Sequence, residues 1–409
     1  MSTNFKARDM AEHQIANLDA QLLRRKLRTT ASPCDTKAQV DQRELKAFCS
    51  NDYLGLANHP ELVAALAEGA KRYGVGSGAS HLISGHSVAH DLLEQKLAAC
   101  ESKYIPNVRA LFFSTGYLAN ITAITGLSRL TNPGEVSIYS AKLNHASLID
   151  GVRLASSQTK AQVTLFDHQN LDFLEEALQQ DTHSLKLIVV DGVFSMDGDI
   201  APVKNLLQLA EQYDALLMVD DAHGFGILGE LGHGILEQSG VHSERIIYIG
   251  TLGKAAGVSG AFICAAASFI EWLIQKGRPY IYSTATPPAI AHTLLTSLEL
   301  IEGKEGIARR KQLNQLIQIW RDEMTFQDWE KTPSSTPIQP VILGSNASAL
   351  AAAKLLDEAG YWIPAIRPPT VPVGSSRLRI TFSANHSADD LRQLIKTLQA
   401  IEQEVKSNL

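Results

Sequence analysis

Three observations predict an α/β protein built on a mainly parallel sheet. From about residue 60 to residue 260, helix-like stretches alternate with short apolar runs, the pattern of strands joined by helical crossovers. Three of these runs, at 185–190, 215–219 and 245–249, empty into polar, chemically able residues: Asp191 to Ser195, Asp220 to His223, and Thr251 to Lys254. After Pro287-Pro288 the pattern changes to helices, then two short strand signals near 338–343 and 377–382 with a helix between, which reads as a smaller α/β domain.

Taken in order, residues 9–28 carry Ile15, Leu18, Leu22, Leu23 and Leu27 at helical spacing and predict an amphipathic helix. Its end is basic, with Arg24, Arg25, Lys26 and Arg28, which suits either a helix C-terminus or an anion contact. A strand is expected over 44–48, running into the turn-rich Asn51-Asp-Tyr53-Leu-Gly55. Pro60 is placed to open a helix through Tyr73. The segment 332–337, rich in Ser, Thr and Pro, is the best surface-loop candidate. The expected division is an N-terminal arm over 1–56, a large domain over 57–296 and a small domain over 297–409.

Composition narrows the function classes. Hydrophobic residues make up 45% of the 409 and charged residues 20%, an ordinary balance for a globular enzyme. A net charge of −6 argues against nucleic acid or an anionic membrane as partner. Cys34, Cys49, Cys100 and Cys264 lie far apart with no CxxC, so neither a disulfide framework nor a metal site is expected. No signal peptide and no bilayer-length apolar run is legible, and a cytoplasmic location is expected.

In an open α/β sheet, ligands collect at the carboxyl ends of the strands. A lysine, a carboxylate and a histidine delivered to one sheet edge suit pyridoxal phosphate: the lysine makes an imine with the aldehyde and the carboxylate keeps the pyridine nitrogen protonated. Lys254 is flanked by Gly253, Ala255, Ala256 and Gly257, small residues that leave room against the backbone. The segment from Phe113 to Asn120 reads as strand, turn and helix, with Thr115 and Gly116 at a turn whose amides suit a phosphate, or more plainly as an N-cap. Other motifs fail on context. Gly74-Val-Gly76-Ser-Gly78-Ala79 follows a helix where a dinucleotide fingerprint needs a strand, so a nicotinamide oxidoreductase is disfavoured. His86 and His90 lack the intervening Glu of a zinc protease and read as a pair either on a helix surface or buried and hydrogen-bonded. Gly257-Val-Ser259-Gly-Ala261 lacks the last Gly of a nucleophile elbow.

Together the segments Ser50 to Gly55, Gly76 to Gly78, Thr115 to Tyr117, Asn144 to Ser147, Asp191 to Gly198, Val219 to Gly224, Thr251 to Lys254 and Tyr282 to Thr284 resemble the α-oxoamine synthases, a family of fold-type-I pyridoxal phosphate enzymes. The run from Ala365 to Arg379, with its Pro-Pro-Thr370-Val-Pro, is similar to the branch of that family that condenses L-alanine with a pimeloyl thioester. The resemblance implies a large domain with a mainly parallel seven-stranded sheet flanked by helices, a small C-terminal α/β domain and an N-terminal helical arm. It implies pyridoxal 5'-phosphate as cofactor, a homodimer with shared sites, and coenzyme A or an acyl-carrier protein bearing the acyl group. A sister synthase using glycine, serine or a longer acyl chain is the nearest alternative, and a non-catalytic partner subunit the next.

The resemblance also assigns roles. Lys254 is implied to form the imine, Asp220 to pair with the pyridinium nitrogen, His223 and Ser195 to bond the phenolic oxygen side, and His145 to stack on the ring. Gly116, Tyr117 and Thr251 are implied to hold the phosphate, with Ser283 and Thr284 from the partner subunit. Asn51 and Arg379 are implied at the amino-acid carboxylate, Arg28 and Thr370 at the acyl substrate. Tyr117, Phe225, Ala255 and His81 depart from the commoner family residues at their positions, which bears on pocket shape more than on reaction class.

Overall fold

A computed structural model describes residues 6–408, and the chain divides into two compact units. The larger unit takes Asn51–Ser195 and Asp199–Leu313. Its centre is a sheet of seven strands: β1 (Val108–Phe113), β2 (Val136–Ala141), β3 (Gln162–Phe166), β4 (Leu185–Asp191), β5 (Ala215–Asp220), β6 (Ile246–Thr251) and β7 (Ala261–Ala266). They lie in the order β1-β7-β6-β5-β4-β2-β3. β7 runs antiparallel to both neighbours, and every other pairing is parallel. The expected mainly parallel seven-stranded sheet is therefore present.

The central strands are aliphatic runs because helices cover both faces of a parallel sheet. Leu187, Ile188, Val189 and Val190 are all buried, as are Leu217, Met218 and Val219. One core joins Leu111, Ile138, Val189, Met218, Ile249 and Ile263 to the helices Gly116–Leu127 and Ala146–Thr159. Parallel pairing also fixes where the chemistry lies. Asp191 is in register with Asp220, and Asp220 with Ile249, so the carboxyl ends of β4, β5 and β6 sit side by side.

The helix Pro60–Tyr73 falls where its sequence signals put it. Proline occupies the first turn, His59 caps it by accepting from the Glu61 amide, and Gly74 ends it at φ 79°, a conformation costly for any side chain. At Gly69 an added Cβ would meet the Ala289 backbone at 3.0 Å, so the glycine lets this helix lie close to Pro288–Glu302.

The smaller unit takes the described residues up to Ser50, Met196–Gly198, and those from Asn314 on. One sheet has the order Glu330–Lys331, Ile338–Gly344, Ser376–Thr381, Ala365–Ile366. A second joins Lys37–Val40 and Arg43–Ala47 to Tyr361–Trp362. The N-terminal strands thus pair with a strand from near the other end of the chain, a long-range contact with no signature in local sequence. The unit boundaries fall after Ser50 and after Leu313, and the sequence reading placed them after 56 and after 296.

Two expectations need correction. The first helix is Lys6–Ala20, and residues 24–28 are not helical. Leu22 takes φ 56°, and the amides of Leu23 and Arg24 both return to the Leu18 carbonyl, which closes the helix. Arg367 then holds the emerging chain by donating to the carbonyls of Leu22 and Arg24. The basic cluster is therefore no helix terminus. The second is partial: 332–337 is a loop with Pro333 and Ser335 exposed, as expected, but Ser334 and Thr336 are buried, and their hydroxyls bond each other and the Gly198 carbonyl. Polar residues that satisfy one another in this way leave the same sequence signature as a surface loop.

Candidate active site

Lys254 stands on the turn that follows β6. The Gly257 amide closes the turn on the Lys254 carbonyl at 2.8 Å. Gly257 has φ 69°, and an added Cβ there would strike the Ala57 nitrogen at 2.6 Å, so only glycine fits. Lys254 Nζ lies 2.9 Å from His223 Nε2. His223 follows Asp220 at the end of β5, and its Nδ1 lies 2.6 Å from the Tyr53 hydroxyl. That hydroxyl donates to Asn51 Oδ1 at 3.0 Å.

Asp220 is 5% exposed and held from two sides. Its Oδ2 accepts from Asn120 Nδ2 at 2.6 Å and its Oδ1 from the Ala222 amide at 3.0 Å. Asn120 gives a second hydrogen bond to Ser147 Oγ at 2.8 Å, and that oxygen lies 2.7 Å from His145 Nδ1. Since the Asn120 amide nitrogen only donates, the Ser147 proton is left for His145 Nδ1, and the imidazole proton belongs on Nε2. Burial lowers the His145 pKa; the Asp220 charge opposes the shift and the Lys254 charge adds to it. Asp191 receives the His145 amide at 2.7 Å. Burial, and then the neighbouring Asp220 charge, push Asp191 well above the ordinary carboxylate range.

Lys254, His223, Asp220, His145, Ser195, Thr251, Gly116 and Tyr117 line one cavity of about 190 Å³. The helix Gly116–Leu127 begins on its wall, with Thr115 as N-cap accepting from the Leu118 amide at 3.2 Å. Its first amides point outward without helical partners, as an anion site needs. A Cβ on Gly116 would approach Thr251 Oγ1 to 2.9 Å, so glycine lets that hydroxyl stand against the helix start. Asn120 also lines the cavity, and its Oδ1 is buried with no hydrogen-bond partner. An anion-binding helix start, a backed carboxylate and an amine beside an imidazole fit the phosphate, the ring nitrogen and the aldehyde of pyridoxal phosphate.

Eight of the expected residues therefore meet at one cavity, and Asn51 is tied to it through Tyr53 and His223. Ser283 and Thr284 line a different crevice, with His81 and Tyr280. Arg28, Thr370 and Arg379 belong to the smaller unit. Arg28 is held by Asp41 and Asp357, each at 2.7 Å. It is Arg25, not Arg28, that reaches Thr370, donating to its hydroxyl at 3.3 Å. Arg379 is buried on the strand Ser376–Thr381, opposite Pro340, and its charge acts on Cys49, whose thiol burial pushes up to about 12. Asn120, Ser147, Asp191 and Tyr53 stand in the motifs read from sequence but were assigned no role there. Asp191 ends its strand as Asp220 does, and Asn120 lies one helical turn past Gly116, so both had a periodicity signal.

The remaining motifs are structural. His90 is buried, accepts from the Ser87 amide at 3.0 Å and lies 2.7 Å from the Thr286 carbonyl, so both its nitrogens are engaged, whereas His86 is exposed: each of the two readings holds for one member of the pair. His81 stacks on Tyr280 with ring centroids 4.8 Å apart, and Phe225 packs edge-on against Phe262 at 5.1 Å.

A lysine, an aspartate and two histidines at the carboxyl edge of this sheet define a fold-type-I pyridoxal phosphate enzyme. Residues 44–398 match the family described as aminotransferase class I and II. The chain is 54% identical over 393 residues to the 8-amino-7-oxononanoate synthase of Janthinobacterium sp. (strain Marseille), covering 96% of this chain and 98% of that one. It is 55% identical over 402 residues to that of Polaromonas naphthalenivorans (strain CJ2), covering 95% and 96%. Among solved structures, serine palmitoyltransferase of Sphingomonas wittichii superposes with TM-score 0.86 at 27% identity over all of both chains. The 8-amino-7-oxononanoate synthase of Francisella tularensis superposes with TM-score 0.71 at 29% identity, covering 89% of this chain and 98% of that one. The chain belongs to the 8-amino-7-oxononanoate synthase family, acyltransferases that depend on pyridoxal 5'-phosphate.

Proposed function

We propose that this enzyme condenses L-alanine with a pimeloyl thioester, releasing carbon dioxide and the free thiol and giving 8-amino-7-oxononanoate for biotin synthesis. The observation that carries the reading is the convergence of Lys254, Asp220, His223 and His145 on one cavity in a chain of this family. The cofactor, when bound, supplies an aldehyde that captures amines and a protonated ring that takes up the electrons left by a departing α-proton.

The chain's own residues do the rest. Lys254 Nζ removes the α-proton and returns one after decarboxylation, with His223 Nε2 beside it to orient the amine. Asp220 keeps the proton on the ring nitrogen through a charge-assisted bond worth roughly 1.5–3 kcal/mol. His145 would pack on the ring of the bound cofactor and contribute on the order of 1 kcal/mol of positioning. The amides of Gly116 and Tyr117 with the Thr251 hydroxyl take the phosphate, and Ser195 takes the phenolic oxygen side with His223. Asn51 and Arg379 receive the amino-acid carboxylate, for which a planar guanidinium is matched in a way lysine is not.

The acyl donor is carried by coenzyme A or by an acyl-carrier protein, and meets the smaller unit. Thr370 serves its chain end; Arg25, bonded to Thr370, is better placed for that end than Arg28, which its two aspartates hold. The working form is a homodimer in the cytoplasm. Ser283 and Thr284 stand apart from the Lys254 cavity of their own chain, which supports their completing the partner's phosphate site. Among the described residues no helix is long and apolar enough to cross a membrane.

The decisive experiment is the mass of the product formed from alanine and pimeloyl thioester, in a panel with glycine, serine and longer acyl thioesters. The expected outcome is 8-amino-7-oxononanoate in clear excess. The high structural likeness to a serine palmitoyltransferase makes serine with a long acyl chain the second reading, and preference for that pair would replace the first. Within the first reading, Arg379→Ala is expected to raise the KM for alanine about tenfold or more, the worth of one charged hydrogen bond, with the thioester KM changed little. The opposite pattern would move Arg379 to the acyl site.

A further inference from the structure

Tyr53 is fully buried, and its one hydroxyl touches both Asn51 and His223. A phenol has a single proton to give, and an amide oxygen can only accept. With that proton on Asn51 Oδ1, the phenol oxygen must accept from His223, which places the imidazole proton on Nδ1. The bare Nε2 then receives a hydrogen from Lys254 Nζ. Three hydrogen bonds, at 2.9, 2.6 and 3.0 Å, so run in one direction: Lys254 to His223 to Tyr53 to Asn51. The same contact turns the Asn51 amide. Its oxygen faces Tyr53, so its two N–H bonds are left to face elsewhere.

We propose that Tyr53 is a positioning residue that sets the tautomer of His223 and the orientation of the Asn51 amide, and so couples the amino-acid carboxylate site to the lysine that handles the α-proton. This rests on the reading of Lys254 and Asn51 given above. The two histidines of the site are then fixed in opposite tautomers, His145 with its proton on Nε2 and His223 with its proton on Nδ1. Each is set by a neighbour that itself has no chemical step to perform, Ser147 in one case and Tyr53 in the other.

The test uses the whole chain, with Tyr53→Phe as an isosteric variant lacking only the hydroxyl. In cofactor-free protein with nitrogen-15 in its histidines, two-bond nitrogen–proton correlations read the tautomer of His223, assigned by loss of its signals in His223→Gln. The expected result is a Nδ1-protonated ring in the parent and a shift toward Nε2 protonation in Tyr53→Phe. In the loaded enzyme, the KM for alanine is expected to rise about tenfold in Tyr53→Phe, with the KM for the thioester within about twofold of the parent. A parent ring protonated on Nε2 overturns the proposal without recourse to any variant. So does a tautomer that ignores the substitution, and so does a tautomer shift that leaves the alanine KM unmoved. If alanine proves not to be the amino acid used, the functional reading fails, and the tautomer in cofactor-free protein still decides the role of Tyr53.

Discussion

Lys254→Ala is expected to abolish turnover, by about 10³-fold or more, and to leave purified protein without the yellow absorption of lysine-bound cofactor. The two losses have separate origins. The colour requires an amine in covalent reach of the aldehyde, and Lys254 offers one from the cavity wall. Turnover requires a base at the α-carbon. His223, the neighbour at 2.9 Å, loses its Nε2 partner along with the lysine but stays anchored through Nδ1 to Tyr53, so it does not advance into the place the lysine amine held. The stability cost should be small, because the turn is shaped by the Gly257 amide bonding the Lys254 carbonyl, a contact alanine keeps. Absorption spectra and single-turnover assays at saturating alanine check both parts. A variant that stays yellow and active would remove Lys254 from the chemistry.

The fold and the centre of this site were readable in sequence for a common reason. A parallel sheet needs aliphatic strands, and each central strand here ends one or two residues past its aliphatic run. The residues that follow 190, 219 and 249 were therefore bound to appear at one edge, and Asp191, Asp220 and Lys254 do appear there. What stayed hidden depends on contacts remote in sequence. Arg28 looked free to bind substrate until Asp357, 329 positions away, was seen to hold it. The helix expected to reach residue 28 stops at Ala20, where Arg367 holds the chain just beyond its end. The hydroxyls at 334 and 336 read as surface because nothing local announces the Gly198 carbonyl they bond. Tyr53, in its quoted motif, gave no sign that its partner would be His223.

Asp220→Asn is the second large effect expected, and its value lies in what is retained. The side chain keeps its shape, so cofactor should still bind, while exchange of the alanine α-proton for deuterium should fall roughly 10- to 100-fold, the worth of one charge-assisted hydrogen bond. The hydrogen-bond pattern adds to the loss. Both Asp220 oxygens accept, from the Ala222 amide and from Asn120 Nδ2. An asparagine that satisfies Ala222 with its oxygen turns its own NH₂ toward the Asn120 NH₂, and two donors face each other. Relief comes if Asn120 flips to present Oδ1, an atom the parent leaves buried without a partner. That flip withdraws the hydrogen given to Ser147 and unsettles the tautomer of His145. The double variant Asn120→Asp with Asp220→Asn separates the two causes. It restores one donor facing one acceptor between positions 120 and 220 and keeps the negative charge nearby, but moves that charge off the strand end. Exchange that stays low in the double variant places the requirement on charge at position 220 itself. Exchange restored to the parent rate would mean that the hydrogen-bond pattern, and not the carboxylate's position at the ring nitrogen, was what Asp220 supplied.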